Sequence, residues 1–205
     1  MSDSPGPFPR RIPRLTAAVL AAGLASPVLA ANAADSVYTD LDLDACTVVS
    51  SDEESGGVDL LCAGYGNWPV FVAEGDLRMD VDFGVKNQAF QTFGPFNYVH
   101  KVVEWRVENG VPFAAILRFF VETGMNGNQQ KGQVLLVSKV GQPGAPGCPV
   151  AAVDTKTVEQ ANGVARGLAA LAPLFNCAVD NPVAVGAPDS FAFSFYGAVA
   201  EGSSQ

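Results

Sequence analysis

The sequence predicts an α+β fold: an antiparallel β meander of about six to eight strands, with one long helix of the C-terminal half packed on it. Three observations carry this expectation. Leu77, Met79, Val81 and Phe83 alternate with Arg78, Asp80 and Asp82, the two-residue period of a strand with one wet face. Val103, Trp105 and Val107 alternate with Glu104, Arg106 and Glu108 up to Asn109-Gly110, the dipeptide that a type I′ hairpin turn demands. Against this β background one segment has helical spacing, with Val158, Ala161, Ala165, Leu168 and Ala172 on a single stripe. Strands at this spacing also allow a small closed barrel or a sandwich.

Taken in chain order, residues 1–33 read as an export signal. Arg10, Arg11 and Arg14 give a positive start, Leu15 to Ala25 is apolar, and Pro27 breaks that run ahead of Ala31-Asn32-Ala33, an A-x-A cleavage pattern. The apolar run is shorter than the roughly 18 residues of a membrane-crossing helix, and no second run follows, so no membrane span is expected. The Arg10-Arg11 pair would suit a twin-arginine signal, but Pro9 and Ile12-Pro13-Arg14 around it fit poorly, which favours the general route. The expected location is the periplasm or the exterior. Removing 33 of the 205 residues leaves 172, enough for one domain over 34–205 with a sizeable core. Its tail is expected to be flexible from about residue 197.

Cys46 to Val49 and Val58 to Cys62 are short apolar segments joined by a polar loop ending in Gly56-Gly57, a hairpin pattern. Pro69 to Val72 is a further strand, turned at Glu74-Gly75-Asp76 into the alternating segment. After the Asn109-Gly110 turn, Val111 to Val121 returns as a long strand. Phe113 to Leu117 is apolar on both faces, so this strand should be central and covered on each side. Thr123 to Gly132 is a flexible polar loop, Gln133 to Val140 the next strand, and Pro149 to Val153 another after a Pro/Gly-rich turn. Asp154 or Thr155 can cap the helix, Glu159 lies in its first turn, Val164 and Leu171 widen its stripe, and Pro173 ends it. Phe191, Phe193 and Phe195 then put three aromatics on one side of an edge strand, as core lining.

The four cysteines, Cys46, Cys62, Cys148 and Cys177, suit two disulfides in an oxidising compartment. Four cysteines allow three connectivities; the local pairing of 46 with 62 and 148 with 177 is favoured, because each pair flanks a compact segment. A zinc site is disfavoured by the absence of a C-x-x-C pair and the presence of one histidine.

Charge is distributed unevenly. Between Ala34 and Val85 twelve acidic side chains face one base, Arg78, a net −11, whereas from Lys86 onward eight acids meet eight bases. This argues against nucleic acid or anionic lipid as partner and leaves a cationic protein, an envelope component or a divalent ion open, beside a plain solvated face. Asp40, Asp42 and Asp44 would share one side of a strand, or open a calcium loop. The loop match fails at Ala45, where glycine is needed, and at Ser51, where the bidentate acid belongs. Calcium is thus the alternative to no cofactor. Glu74, Asp76 and Arg78 bracket a turn and could form an acid/base pair or ligand clamp, or merely close the turn by a salt bridge. Trp68, among glycines with Tyr65, suits a recognition loop or a core plug. His100 has no G-x-S-x-G elbow to serve, and phosphate-loop, H-E-x-x-H and dinucleotide motifs are absent, so no catalytic residue is identified.

Tyr38 to Asp42, the block Trp68 to Arg78, and Val103 to Arg106 followed by Pro112-Phe113-Ala114 resemble a group of uncharacterised secreted bacterial proteins. The resemblance covers most of the chain after residue 33 and implies its domain limits but no mechanism. No motif matches the lysozyme-inhibitor families. Two function classes follow. One is a non-enzymatic secreted or periplasmic binding protein, with a cationic protein such as a lysozyme as one target. The other is a carboxylate-based hydrolase using Glu74, Asp76 and Glu104, decided by whether Glu74 and Glu104 lie about 5 to 10 Å apart across a cleft. N-terminal sequencing of the exported protein should start at Ala31 or Ala34; a chain retaining Leu15 to Leu29 would contradict the export reading.

Overall fold

A computed structural model describes residues 1–2, 6, 34–54, 56–124 and 129–196. The rest of the expected export segment, residues 125–128 of the expected polar loop, and the expected tail from 197 lie outside the described residues. The chain divides into two units, Met1–Ala31 and Asn32–Gln205, and every element below belongs to the second.

Alternating apolar segments fold as strands β1 (Asp35–Asp40), β2 (Thr47–Ser51), β3 (Val58–Tyr65), β4 (Trp68–Gly75), β5 (Arg78–Phe83), β6 (Thr92–Phe93), β7 (Phe96–Glu108), β8 (Val111–Glu122), β9 (Lys131–Lys139), β10 (Cys148–Asp154), β11 (Val183–Val185) and β12 (Phe195–Tyr196). They form a six-stranded sheet in the order β1-β7-β8-β9-β10-β11, a four-stranded sheet β2-β3-β4-β5, and the pair β6-β12. Each sheet contains a plain meander, β7 to β10 and β2 to β5. Every pairing is antiparallel except β10 with β11, which the helix α1 (Ala161–Ala169) separates in sequence. The large sheet is open, with β1 and β11 at its edges.

The two-sided apolar character of Phe113 to Leu117 is met by two layers of cover. On one face Trp105, Leu117, Phe119 and Leu136 form one core with Val70, Val72, Val81 and Phe83 of the small sheet. On the other, Ile116, Leu135 and Val137 pack against Ala161, Ala165, Ala169 and Ala172. The small side chains let the helix approach closely, and a 3-10 turn at Ala172–Leu174 containing Pro173 continues the helical segment. Trp105 is fully buried, and its indole N–H donates to Thr39 Oγ1 at 2.8 Å, tying β1 to β7. The hairpin turn between β7 and β8 falls at Asn109 and Gly110, with φ of 52° and 80°.

Three local expectations need correction. Asp80 and Asp82 do not form a wet face: each is 5% exposed, because the link from β5 to β6 folds back over them. Asn87 donates to Asp82 from its backbone at 3.1 Å and from its side chain at 2.6 Å, and the Gln91 backbone N–H reaches Asp80. The helix starts at Ala161 instead of near Thr155, because Asp154 spends its carboxylate on Lys156 N, Thr157 N and Thr157 Oγ1 at 2.7 to 3.0 Å. Leu171, past the end of the helix and at the cap of the 3-10 turn, is exposed and not part of the stripe. Phe191 to Ser194 winds as a 3-10 turn, so Phe193 faces solvent while Phe191 and Phe195 pack on the core.

Both favoured disulfides are present, Cys46–Cys62 and Cys148–Cys177, with Cα separations of 4.5 and 5.7 Å. The first holds β2 and its preceding 3-10 turn, Leu43–Ala45, against β3; the second ties the start of β10 to the chain beyond the helix. Such pairs mark a fold matured in an oxidising environment. Among the described residues no helix is long and apolar enough to cross a membrane. Closing loops with sequence separations of 16 and 29 residues should contribute about 3 kcal/mol each, so reduction should lower Tm by roughly 5 °C or more. Peptide mapping that joined Cys46 to Cys148 or Cys177 would refute the pairing.

Candidate functional site

The layer between the sheets is tight around Trp105 and Phe83, which meet edge to face at 5.5 Å, and opens at the other end of the small sheet. A cleft of about 510 Å³ forms there. Val58, Leu60, Val72, Glu74 and Met79 line it from the small sheet and Leu77 from the β4–β5 turn. Phe96, Asn97, Tyr98 and Glu122 line it from the β7–β8 hairpin, with Gln129 beside them. Leu77 and Tyr98 are 58% and 49% exposed, which puts them at the lip. Volume and lining fall within the range of small-ligand pockets.

The β4–β5 turn positions this lip. Gly75 pairs with Arg78, leaving Asp76 and Leu77 as a two-residue turn with φ of 51° and 60°. That left-handed geometry suits glycine or asparagine, and a leucine there carries about 1 kcal/mol or more of strain. The Arg78 guanidinium closes the turn onto the Asp76 carboxylate, donates to Gly94 O at 2.7 Å and lies 5.3 Å over the Phe96 ring. Asn97 N donates to Leu77 O at 3.0 Å, which holds the turn to β7. The Asn97 side chain is fully occupied, accepting from Met79 N and donating to Thr92 Oγ1, Phe93 O and Pro95 O.

Among the residues singled out in the sequence, Glu74 is the one inside the cleft. It follows Val70 and Val72 on the inner face of β4, half-buried. Its carboxylate has no ion pair or hydrogen bond among the described residues. Asp76 and Arg78 neutralise each other at the mouth. Trp68 is a core plug at the opposite end of β4, stacked with Tyr65 at 6.3 Å, its indole N–H directed at Gln142 Oε1. Asp40, Asp42 and Asp44 are exposed, and Asp42 accepts from Asp44 N at 3.2 Å as the cap of the 3-10 turn. No three metal-ligating side chains converge among the described residues. His100 accepts from Val102 N within its own strand.

Glu104 lies across the large sheet from Glu74. It pairs with Ile116 on the helix side, where Arg166 Nε reaches it at 2.6 Å and Ser36 donates to it. Burial pushes its carboxyl up, but the hydrogen bonds from Arg166 and Ser36 and the charges of Arg166 and Arg106 outweigh that and hold it below the usual range. The Glu74 and Glu104 pair that a hydrolase would need is therefore not assembled. The second acid of the cleft is Glu122, bound by Lys131 Nζ at 3.0 Å and Gln129 Nε2 at 2.7 Å.

Periodicity alone could not have found the cleft, because Leu60, Val72 and Met79 carry the same pattern as core residues. The exposed leucine in a turn position that prefers glycine was the one available signal. No family model, no curated protein and no solved structure matches the chain.

The covered aspartates give a second electrostatic feature. Burial, with the neighbouring Asp82 charge adding to it, pushes Asp80 up to about 8, and burial pushes Asp82 up to about 6. In the unfolded chain both titrate near 3.9. The folded protein therefore holds more protons between those values, and stability falls as pH rises through that window. Tm should decrease from pH 5 to pH 8, and Asp80→Asn should flatten most of that slope; a parent Tm that is flat or rises over this range would contradict the burial.

Proposed function

We propose that the protein is a non-catalytic binding protein of the periplasm or the exterior, with the cleft between the sheets as its ligand site. The observation that carries this reading is an open apolar cavity of about 510 Å³ whose lip is built from a strained, exposed Leu77. A residue kept in a conformation that glycine would occupy without cost marks a side chain retained for what it touches. Binding is favoured over catalysis because the cleft has few polar groups, and of these Asn97 is used up by the fold and Glu122 is held by Lys131. A sugar would find few partners in such a wall; an apolar group would find a matching surface. The acidity of Ala34 to Val85 supports a cationic partner or envelope component, and the export segment and the resemblance to secreted bacterial proteins support the location.

An environment-sensitive apolar dye should bind the folded domain with one-to-one stoichiometry and brighten. Leu77→Gly should weaken that binding several-fold while leaving Tm unchanged or slightly higher, because it removes contact area and relieves strain together. Dye binding that is absent, or unaffected by Leu77→Gly and by Met79→Ala alike, would overturn the assignment of the site.

A further inference from the structure

Among the described residues, the cleft carries one charge without a partner. Around its mouth Asp76 is paired with Arg78 and Glu122 with Lys131, so the Glu74 carboxylate is the net charge of the site. It ends the row Val70, Val72, Glu74 on the inner face of β4, with apolar wall on one side and solvent at the lip on the other. A carboxylate beside apolar surface is best satisfied by a cation that brings its own apolar body.

We infer that the ligand is a cationic amphiphile, an alkyl or arylalkyl chain of about 10 to 12 carbons ending in a single protonated amine. The chain lies against Leu60, Val72 and Met79, and the ammonium meets Glu74. This inference rests on the cleft being the ligand site. Size supports it: if a methylene fills about as much space as a water in the liquid, roughly 30 Å³, a chain of 12 takes up roughly 360 Å³ and leaves room for the head group. Charge supports it too. The Glu74 carboxylate, without a partner among the described residues, attracts an ammonium and repels fatty acids and other anionic amphiphiles. With one carboxylate free, a second ammonium on the ligand gains nothing specific.

Calorimetric titration with monomeric dodecylammonium, an uncharged dodecyl ether of similar length and dodecyl sulfate tests this, each kept below its micelle concentration. The ammonium should bind about tenfold more tightly than the uncharged chain, and the sulfate should not bind. Removing one methylene from the ammonium ligand should loosen it about fourfold. Glu74→Gln should erase the tenfold preference while retaining the uncharged ligand. Asp35→Asn, which removes the same charge from exposed β1, should leave the preference intact. An uncharged chain that binds as tightly as the ammonium, or a preference that survives Glu74→Gln or falls equally with Asp35→Asn, would overturn the ligand class and leave the cleft reading standing. Failure of all three chains to bind or to displace the dye would overturn both.

Discussion

The constraint on which the structure depends is that β8 is apolar on both faces, with Ala114, Ala115, Ile116 and Leu117 all buried in succession. Water must be excluded from each side, and a sheet has no means of covering itself. The four-stranded sheet supplies one cover and the alanine face of the helix the other, which fixes the order of the layers. Burial of this kind is the dominant favourable term in folding, and truncating a fully buried leucine such as Leu117 costs about 2 to 5 kcal/mol. The small sheet covers the large one tightly at the Trp105 end and splays at the Leu77 end. The cleft is the place where cover runs out.

Charge is handled differently in each layer. On the helix side, Glu104 is enclosed with Arg166, Arg106, Ser36 and Tyr38, and hydrogen bonds keep it ionised despite burial. The outer face of the small sheet takes the opposite course: Asp80 and Asp82 lie side by side under Asn87 and Gln91, and their protons are retained to higher pH. Nearby Asp59 accepts from Ser50 and Lys86, which lower it. Glu74 belongs to neither arrangement. Among the described residues it is the carboxylate of the inner face without a partner, which is why its chemistry points outward to a ligand.

Much of the fold was legible from residue patterns, and the limits of legibility have physical causes. The Asn109-Gly110 hairpin, the two-sided central strand, both disulfides and the alanine stripe followed from local rules that tertiary packing did not override. The alternation of Asp80 and Asp82 was read as a wet face because a strand pattern does not reveal which loop returns over it. The helix start was displaced because Asp154 can cap a turn as readily as a helix. Parallel pairing of β10 with β11 could not be seen, since three residues, Val183 to Val185, carry too little pattern. At the site, Glu74 was singled out for the right turn but the wrong partners. Its companions Leu60 and Met79, partly buried, share the apolar pattern of the core residue Val72 beside them and were indistinguishable from core in the sequence.

The most direct measurement of the central claim is methyl and amide NMR of the folded domain during titration with dodecylammonium. The account predicts shift changes concentrated at Leu60, Val72, Leu77 and Met79 and at the amides of Glu74 and Tyr98, with the surroundings of Leu117 and of the helix unmoved. Shifts centred instead on the exposed apolar residues Val48 and Val49 of β2, or on Leu174 and Phe193, would show that ligands are taken elsewhere and would contradict it.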